Sequence, residues 1–256
     1  MELKVLGSVS PYPKEKSNCP GYLIKDNNSR ILLDCGNGCI SNFNLEEDLK
    51  NLIIIISHLH NDHYGDLLVM AYTSYVYHEL GLFDDKIKVY LPYPKTKEEQ
   101  IAFDYLLSFK ESFLDYVPYD DNTVINHGKF NISFRKSTHN ITTYYAKIKT
   151  NNYNFVYSAD TGYSDDLIDF CKNADVLLCE STFARFHNKK SKYHLNSFDA
   201  GILAGRANVE RLILTHFWPE VDRKICVLEA KDAFFNTEAA EEGKVFRLSK
   251  DYKNYK

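Results

Sequence analysis

Three histidines and one aspartate lie within six residues of the chain, in the segment HLHNDH at residues 58–63. Imidazole nitrogens and carboxylate oxygens are ligands of the kind that zinc accepts in proteins. In strand-like backbone, alternate side chains point the same way, so His58, His60 and Asp62 can converge while His63 turns towards a second position. The segment therefore predicts a site for metal-ion chemistry.

The elements around this segment suit a loop at the end of a strand. Residues Leu52–Ile56 are uniformly apolar, which is typical of a strand covered on both faces. Apolar residues then recur at helical spacing from Leu67 to about Leu80, which predicts a helix. Other histidines lack such a neighbourhood and are interpreted as structural or exposed, namely His78, His127 and His187.

The pattern H-x-H-x-D-H resembles the signature of the metallo-β-lactamase superfamily, and further landmarks of that family follow in order. Asp34, in ILLDCG at 31–36, matches an aspartate that supports the metal-binding loop. His139, Asp160 in SADT and His216 in LTH match the remaining metal ligands. The likeness extends over nearly the whole chain, from about residue 3 to residue 248.

This resemblance implies two zinc ions, with manganese or iron as alternatives, and a role for each motif residue. The seven implied ligands form two groups joined by one bridging carboxylate: His58, His60 and His139; Asp62, His63 and His216; and Asp160 as the bridge. Asp34 is expected to accept an N–H from a ligand imidazole, which would fix the tautomer of that ring.

The ligand set also distinguishes branches of the superfamily. Redox di-iron members carry a glutamate where this chain has His60, and lactamases usually lack a bridging ligand or place a cysteine in the second site. The six cysteines lie away from the ligand motifs and form no C-x-x-C pair, so we interpret them as buried free thiols. The full set resembles the phosphodiester-cleaving branch.

A second motif resembles ribonuclease Z, the tRNA 3′-end endonuclease. The segment CESTF at 179–183 is similar to H-E-A-T-F of that family, and His194 lies where the family has its H-x-T histidine. The resemblance implies that Glu180 orients His194, which then protonates the leaving oxygen. Alternatively, Glu180 is a helix N-cap or a surface carboxylate, and His194 is a helix-entry residue before Ser197. Asn196 replaces the threonine of H-x-T and leaves the local hydrogen bonding open.

The largest departure from ribonuclease Z concerns the substrate. That family inserts a long tRNA-gripping arm between the third-motif histidine and the bridging aspartate, whereas only 20 residues separate His139 from Asp160. The arm is absent, so a small phosphodiester or a short RNA is the expected partner. Three lysines could line the cleft for a phosphate or could equally form a solvated run on a loop: Lys189, Lys190 and Lys192.

The order of predicted elements indicates an α/β fold. Strands are expected at Leu3–Leu6, Tyr22–Lys25, Arg30–Asp34, Leu52–Ile56, Asn131–Arg135, Tyr144–Lys149, Tyr153–Ser158, Val176–Cys179, Leu212–Leu214 and Val245–Leu248. Helices are expected at Leu67–Leu80, Thr96–Lys110, Asp165–Cys171, Ser197–Ala207 and Val221–Phe235. Two packed sheets with helices outside accommodate this order in one domain over residues 1–256. The resemblance identifies that arrangement as the four-layer αββα sandwich of the metallo-β-lactamase fold.

Composition excludes several broad classes. Hydrophobic residues at 44% and charged residues at 26% are ordinary for a globular protein. The net charge of -4 is opposite to that of a general nucleic-acid-binding surface, so RNA binding would need a local patch. The sequence has no recognisable signal peptide or membrane span, so we expect a cytoplasmic protein without membrane contact. Whether the chain forms a homodimer stays open.

The implied metals suggest a mechanism. Two divalent ions that share a water lower its pKa to about 7, so a bridging hydroxide can attack phosphorus while Asp62 orients it. A ribonuclease Z-like phosphodiesterase is the leading hypothesis. The alternatives are a metal-dependent hydrolase of a thioester, lactone or lactam, a true tRNA 3′-end endonuclease, and a metal-binding scaffold without turnover.

Overall fold

Two seven-stranded β-sheets form the centre of the computed structural model, which describes residues 1–109, 113–187 and 191–248. The first sheet contains, in spatial order, β14 (Val245–Arg247), β1 (Glu2–Gly7), β2 (Gly21–Asp26), β3 (Ser29–Leu33), β4 (Leu52–Ile55), β5 (Ile87–Pro92) and β6 (Leu114–Tyr119). The second contains β13 (Thr237–Ala239), β12 (Arg211–Thr215), β11 (Val176–Glu180), β10 (Asn154–Tyr157), β9 (Tyr144–Lys149), β8 (Phe130–Lys136) and β7 (Val124–His127).

Helices cover the outer faces of both sheets. Those in the described residues are α1 (Leu45–Asp48), α2 (Asn61–Tyr64), α3 (Leu67–Glu79), α4 (Lys97–Leu107), α5 (Asp165–Phe170), α6 (Ser197–Arg206) and α7 (Arg223–Lys231). Apolar residues of α3 and α4 pack on the first sheet, and those of α5, α6 and α7 pack on the second. A third apolar cluster fills the space between the sheets. These layers form the predicted four-layer αββα sandwich.

Strand β4 shows how the sequence fixes the position of the site. All four of its residues are buried. Ile53 and Ile55 point into the core between the sheets, whereas Leu52 and Ile54 point into the core beneath the helices. Because each buried aliphatic side chain contributes about 1.5–3 kcal/mol, the strand is held firmly on both faces. The loop that carries the HLHNDH segment therefore begins at the end of a firmly packed strand.

The strand directions bring the predicted motifs to one edge of the sandwich. Strands β3 to β6 run parallel in the first sheet, and β10 to β13 run parallel in the second. Ligands commonly bind beyond the carboxyl ends of parallel strands. Here the loops after β4, β10 and β12 carry the HLHNDH segment at 58–63, Asp160 and His216.

Most predicted elements are present, with some corrections. The helix predicted over Val221–Phe235 is shorter, because the side chain of Asp222 caps its start by accepting the backbone N–H of Lys224. The helix predicted over Thr96–Lys110 runs over Lys97–Leu107, and Lys110 lies outside the described residues. Strands β5, β6, β7 and β13 were not expected from the sequence.

Two predictions about the chain as a whole can be compared with the structure. All six cysteines are buried and free, as predicted. A membrane-spanning helix would need a long, uniformly apolar stretch, and the helices in the described residues provide none.

Candidate metal centre and active site

The backbone after β4 divides the HLHNDH segment between two groups of side chains. His60 has extended backbone and precedes the short helix α2, which carries Asp62 and His63. The expectation that strand-like alternation makes Asp62 converge with His58 and His60 is wrong, because the helix starts at Asn61 and turns Asp62 away. Asp62 lies with His63 instead.

The first group contains His58, His60, His139 and Asp160. Nδ1 of His60 lies 3.0 Å from Nε2 of His58 and 3.3 Å from Nε2 of His139. Oδ2 of Asp160 lies 3.6 Å from Nε2 of His58 and 3.8 Å from Nε2 of His139. These four donor atoms are close enough together to surround one ion.

The second group contains Asp62, His63 and His216. Nε2 of His63 lies 3.3 Å from Nε2 of His216 and 3.6 Å from Oδ2 of Asp62. Oδ1 of Asp160 lies 3.4 Å from Nε2 of His63 and 2.9 Å from Nε2 of His216. The two oxygens of Asp160 therefore face different groups, which is the geometry that a bridging carboxylate needs.

The donors fit divalent metal ions. Ligand nitrogens bound tetrahedrally to one zinc ion are about 3.3 Å apart, close to the nitrogen spacings in both groups. Asp160 is buried, and although Nε2 of His216 is 2.9 Å away, Oδ1 has no well-formed hydrogen bond within the described residues. A buried carboxylate oxygen without a hydrogen bond is costly, and a cation between the donors would remove that cost.

Asp34 holds one imidazole of the second group in place. Its fully buried carboxylate lies 2.8 Å from Nδ1 of His63, which leaves Nε2 directed at the other donors. The same carboxylate accepts the backbone N–H and hydroxyl of Ser57 at 2.7 and 2.9 Å and the hydroxyl of Tyr157 at 2.7 Å. Asp34 therefore lies where its predicted supporting role requires it.

Other imidazoles are oriented in the same way, with Nδ1 near a protein oxygen and Nε2 towards the donors. The contacts are Ser57 Oγ at 3.0 Å from His58, the carbonyl of Tyr193 at 3.2 Å from His139, and Thr182 Oγ1 at 2.9 Å from His216. Such contacts select the tautomer that a metal ligand needs. His60 is the exception in the set, because its Nδ1 points inward.

Three residues at the same edge of the sandwich have left-handed backbone. Asp34, Ala159 and His216 have positive φ angles of 57°, 46° and 57°. Asp34 and His216 directly follow a strand and supply side chains of the site. Ala159 lies two residues after the end of β10 and directly precedes Asp160. Left-handed backbone costs a non-glycine residue about 1–2 kcal/mol, and such strain gathers at functional sites. The fold accepts this cost where the site residues must turn out of their strands.

Burial and charge set the protonation of the two groups. Burial lowers the pKa of His58 well below its usual value and lowers that of His139 to about 4. These rings are neutral near pH 7, the form that binds metal. Burial also opposes protonation of His63, but the charges of three carboxylates outweigh it and raise its pKa to about 10: Asp160, Asp62 and Asp34. The second group therefore attracts positive charge.

Glu180 and His194 form a pair beside the bridging carboxylate. Oε1 of Glu180 lies 3.0 Å from Nδ1 of His194, and that nitrogen is 4.0 Å from Oδ2 of Asp160. Burial opposes protonation of His194, but the charge and hydrogen bond of Glu180, together with Asp160, raise its pKa to about 9. His194, Asp160 and His216 also lie close enough to form a third candidate metal group.

The structure excludes the simpler interpretations of Glu180. Glu180 is fully buried and accepts the backbone N–H groups of Thr161 at 2.7 Å and Leu195 at 3.1 Å. It is neither a helix cap nor a surface carboxylate. Asn196, the departure from the H-x-T motif, is the N-cap of α6 and accepts the backbone N–H of Asp199 at 2.8 Å.

Thr182 connects this pair to the second group, and sequence reasoning did not single it out. Its Oγ1 lies 2.8 Å from Oε2 of Glu180, 3.3 Å from Nδ1 of His194 and 2.9 Å from Nδ1 of His216. The feature of the sequence that could have identified Thr182 is its position in the CESTF segment. Ser10 was also missed: its hydroxyl donates to Oδ2 of Asp62 at 2.5 Å, and nothing local in the sequence indicates it.

Glu99 is a further buried carboxylate connected to the site. It belongs to the capping box of α4 and accepts the backbone N–H groups of Lys95 and Thr142, both at 2.6 Å. The hydroxyl of Thr142 also donates to it at 3.1 Å. Thr142 lies in the loop between β8 and β9 that carries His139. A helix on the first sheet thus holds a site loop of the second.

The histidines interpreted as structural or exposed, and the described lysine of the predicted cleft, have contacts outside the donor groups. His78 lies 3.2 Å from the carbonyl of Phe83, and His127 lies 2.9 Å from that of Asn51. Lys192 is exposed, with Nζ 5.4 Å from the ring centroid of Tyr193. The other two lysines of the predicted cleft lie outside the described residues: Lys189 and Lys190.

The family model of the beta-lactamase superfamily domain matches residues 29–217 of the chain. This range includes both Asp34 and His216. The chain belongs to the beta-lactamase superfamily. Among its members, the probable metallo-hydrolase YhfI of Bacillus subtilis is 29% identical over 217 residues, 84% of this chain and 86% of that protein. The crystal structure of YhfI, a metallo-beta-lactamase fold protein, matches with a TM-score of 0.85 and 27% identity, covering 96% of this chain and 99% of YhfI.

Ribonuclease Z proteins are also similar to this chain. That of Chlamydia caviae is 26% identical in an alignment covering 98% of this chain and 97% of that protein. The alignment spans 304 positions, more than this chain has residues, so ribonuclease Z contains segments that this chain lacks. The short form of human tRNase Z shares the fold, with a TM-score of 0.73 at 21% identity over 97% and 99% of the two chains. The chain is a metal-dependent hydrolase of this superfamily.

Proposed function

We propose that the chain is a ribonuclease Z-like phosphodiesterase that uses two zinc ions, or manganese or iron in their place, on small phosphodiesters or short RNA. The observation that carries the proposal is the Glu180–His194 pair, whose 3.0 Å contact lies directly beside Asp160. A sugar oxygen is a poor leaving group, so phosphodiester cleavage needs a proton donor at this place. The likeness to ribonuclease Z supports the same substrate class.

The two donor groups would hold the metal ions, with Asp160 shared between them. Divalent ions bound there would lower the pKa of a water molecule to about 7 and neutralise charge on the phosphoryl oxygens. The residues around them supply orientation. Asp34 keeps the ring of His63 fixed, and Ser10 holds the Asp62 carboxylate, which would orient the attacking water.

His194 would donate a proton to the leaving oxygen. Glu180 contacts Nδ1 of the ring, and Nε2 forms no hydrogen bond within the described part of the chain. The side chain of His194 is 26% exposed, so a substrate can reach it, whereas that of Glu180 is buried. Glu180 therefore acts through His194 and is a positioning residue.

Turnover of matched substrates tests the proposal. We expect the zinc-loaded protein to hydrolyse an aryl phosphodiester, cyclic nucleotides or a short RNA with a higher kcat/KM than a lactone, a thioester or a lactam. The His78→Ala variant removes a ring that contacts the carbonyl of Phe83 and stacks on Phe113, and should retain the wild-type rates. Faster turnover of the carboxylic esters or amides would contradict the phosphodiesterase assignment, and no turnover of any substrate would favour a scaffold.

A further inference from the structure

A chain of aromatic contacts leads away from His194 towards solvent. The ring centroid of Phe183 lies 6.4 Å from that of His194 and 6.5 Å from that of Trp218. His187 follows at 5.5 Å from Trp218, and Phe186 at 4.1 Å from His187. We call these four residues the aromatic strip: Phe183, Phe186, His187 and Trp218.

The aromatic strip is attached to the residues of the proposed active site. Phe183 directly follows Thr182, which contacts both Glu180 and His216. Trp218 comes two residues after His216, and its backbone N–H donates to the carbonyl of Thr182 at 3.1 Å. The backbone positions of Phe183 and Trp218 are therefore fixed relative to His194 and the second donor group.

The strip is partly buried at its inner end, where Trp218 packs against the apolar core of the second sheet, and exposed at its outer end. Phe186 is 62% exposed, and the other three residues are partly exposed. Exposing aromatic surface costs free energy, about 25 cal/mol for each Å² that stays in water. An aromatic surface beside a catalytic site is explained if a flat, apolar group of the substrate covers it.

We propose that the aromatic strip, centred on Trp218, is a subsite that stacks the base of the leaving nucleoside. The proposal rests on the proposed phosphodiesterase function. His194 would protonate the leaving oxygen, so the group attached to that oxygen lies on the side of His194, where the strip begins. Stacking on aromatic side chains is the usual way in which proteins bind unpaired bases. The substrate class is thus a diester whose leaving group is a nucleoside.

Trp218 provides a direct probe, since it is the single tryptophan of the chain. A stacked base quenches tryptophan fluorescence, which can be excited selectively beyond the absorption of tyrosine. We expect adenosine 5′-monophosphate to quench the emission of the zinc-loaded protein in a saturable way. Ribose 5-phosphate, with the same phosphate and sugar but no base, should bind more weakly and leave the emission nearly unchanged.

Variants measured by calorimetry complete the test. Trp218→Ala should weaken binding of adenosine 5′-monophosphate about 10-fold, because stacking of one base contributes on that scale, while binding of inorganic phosphate stays the same. Trp218→Phe should restore most of the loss, since it keeps a ring. Tyr72→Ala, which removes an exposed ring elsewhere, should have no effect.

Two results separate this proposal from the proposed function. Equal binding of the nucleotide and ribose 5-phosphate, unchanged in Trp218→Ala, would overturn the base subsite even if phosphodiesters are hydrolysed. Saturable quenching without hydrolysis of any phosphodiester would support the subsite and overturn the phosphodiesterase. Loss of phosphate binding together with nucleotide binding in both Trp218 variants would show that the ring only supports the fold, and would also overturn the subsite.

Discussion

Asp160 is the residue on which both donor groups depend. One of its oxygens faces His58 and His139, and the other faces His63 and His216. It is also buried, and its left-handed neighbour Ala159 directs it out of the strand end. A single substitution here should therefore affect both ions at once.

Asp160→Ala should reduce the metal content from about two ions per chain to about one or fewer, because no other carboxylate among the described residues has an oxygen facing each group. Elemental analysis after dialysis measures this directly. Asp121→Ala, which removes an exposed carboxylate, is the matched control. If Asp160→Ala retains both ions and full activity, Asp160 is not a bridging ligand.

His194→Ala should slow hydrolysis of nucleotide diesters by about 10²–10⁴-fold and leave an aryl phosphodiester nearly unaffected. The reason is that a nitrophenolate departs without a proton, whereas a sugar oxygen does not. Glu180→Gln should show the same selectivity in weaker form. Comparison of kcat for the two substrate classes provides the measurement.

Metal analysis of the same variants separates the proton donor from a ligand. His194, Asp160 and His216 could also surround an ion, so a ligand role for His194 predicts a loss of metal in His194→Ala. The proton-donor role predicts unchanged metal content. Equal losses of rate on aryl and nucleotide diesters would instead indicate that His194 only contacts the substrate.

At the scale of elements, most strands inside the sheets were predictable and most edge strands were not; the exceptions are the interior strand β5, which was missed, and the edge strand β14, which was predicted. The buried residues of β4 form an uninterrupted apolar run that is easily recognised. Three of the four missed strands lie at sheet edges: β6, β7 and β13. Edge strands are partly exposed, contain fewer apolar residues and include Pro118 in β6, so their alternation is weak.

The candidate site was predictable where its residues are contiguous or belong to motifs. The HLHNDH segment, Asp160 and the Glu180–His194 pair were found in this way. Contacts between distant segments left no pattern in the sequence, as with Ser10, which is 52 positions from Asp62. Glu99 showed only the signal of its capping box, and its contact with Thr142 exists because two layers of the fold meet there.

Glu99→Gln should loosen the loop that carries His139. An amide cannot accept as many N–H and O–H donors as the carboxylate does, and hydrogen bonds to a charged acceptor are worth about 1.5–3 kcal/mol each. We expect the free energy of unfolding to fall by about 2–3 kcal/mol, with weaker binding of the first metal ion. Thermal unfolding and metal titration measure the two effects.

Glu98→Gln provides the matched control, because the adjacent Glu98 is exposed on the same turn of α4. It should leave both the free energy of unfolding and the metal affinity unchanged. If Glu99→Gln behaves like Glu98→Gln, the contact between α4 and the loop does not position His139.

At the scale of the whole molecule, this chain differs from ribonuclease Z in what it lacks. The 20 residues between His139 and Asp160 form only β9, β10 and their connections. A large substrate needs contacts far from the scissile bond, since remote binding energy positions it for reaction. The fold between these two residues offers no extension that could make such contacts.

Cleavage of a full-length tRNA precursor should therefore have a lower kcat/KM than cleavage of a short RNA or a cyclic nucleotide. Steady-state kinetics with both substrates at equal metal loading make the comparison. A ribonuclease Z that carries the arm serves as the control and should prefer the precursor. A strong preference of this chain for the precursor would restore tRNA 3′-end processing as its function.

In the proposed function, two metal ions held by the two donor groups carry out phosphodiester hydrolysis. The most direct measurement is the rate of hydrolysis of a phosphodiester by chelator-stripped protein as zinc is added back. We predict negligible activity without metal and a plateau at about two equivalents of zinc per chain. Activity that survives complete removal of metal, or a plateau at about one equivalent, would contradict a two-metal mechanism.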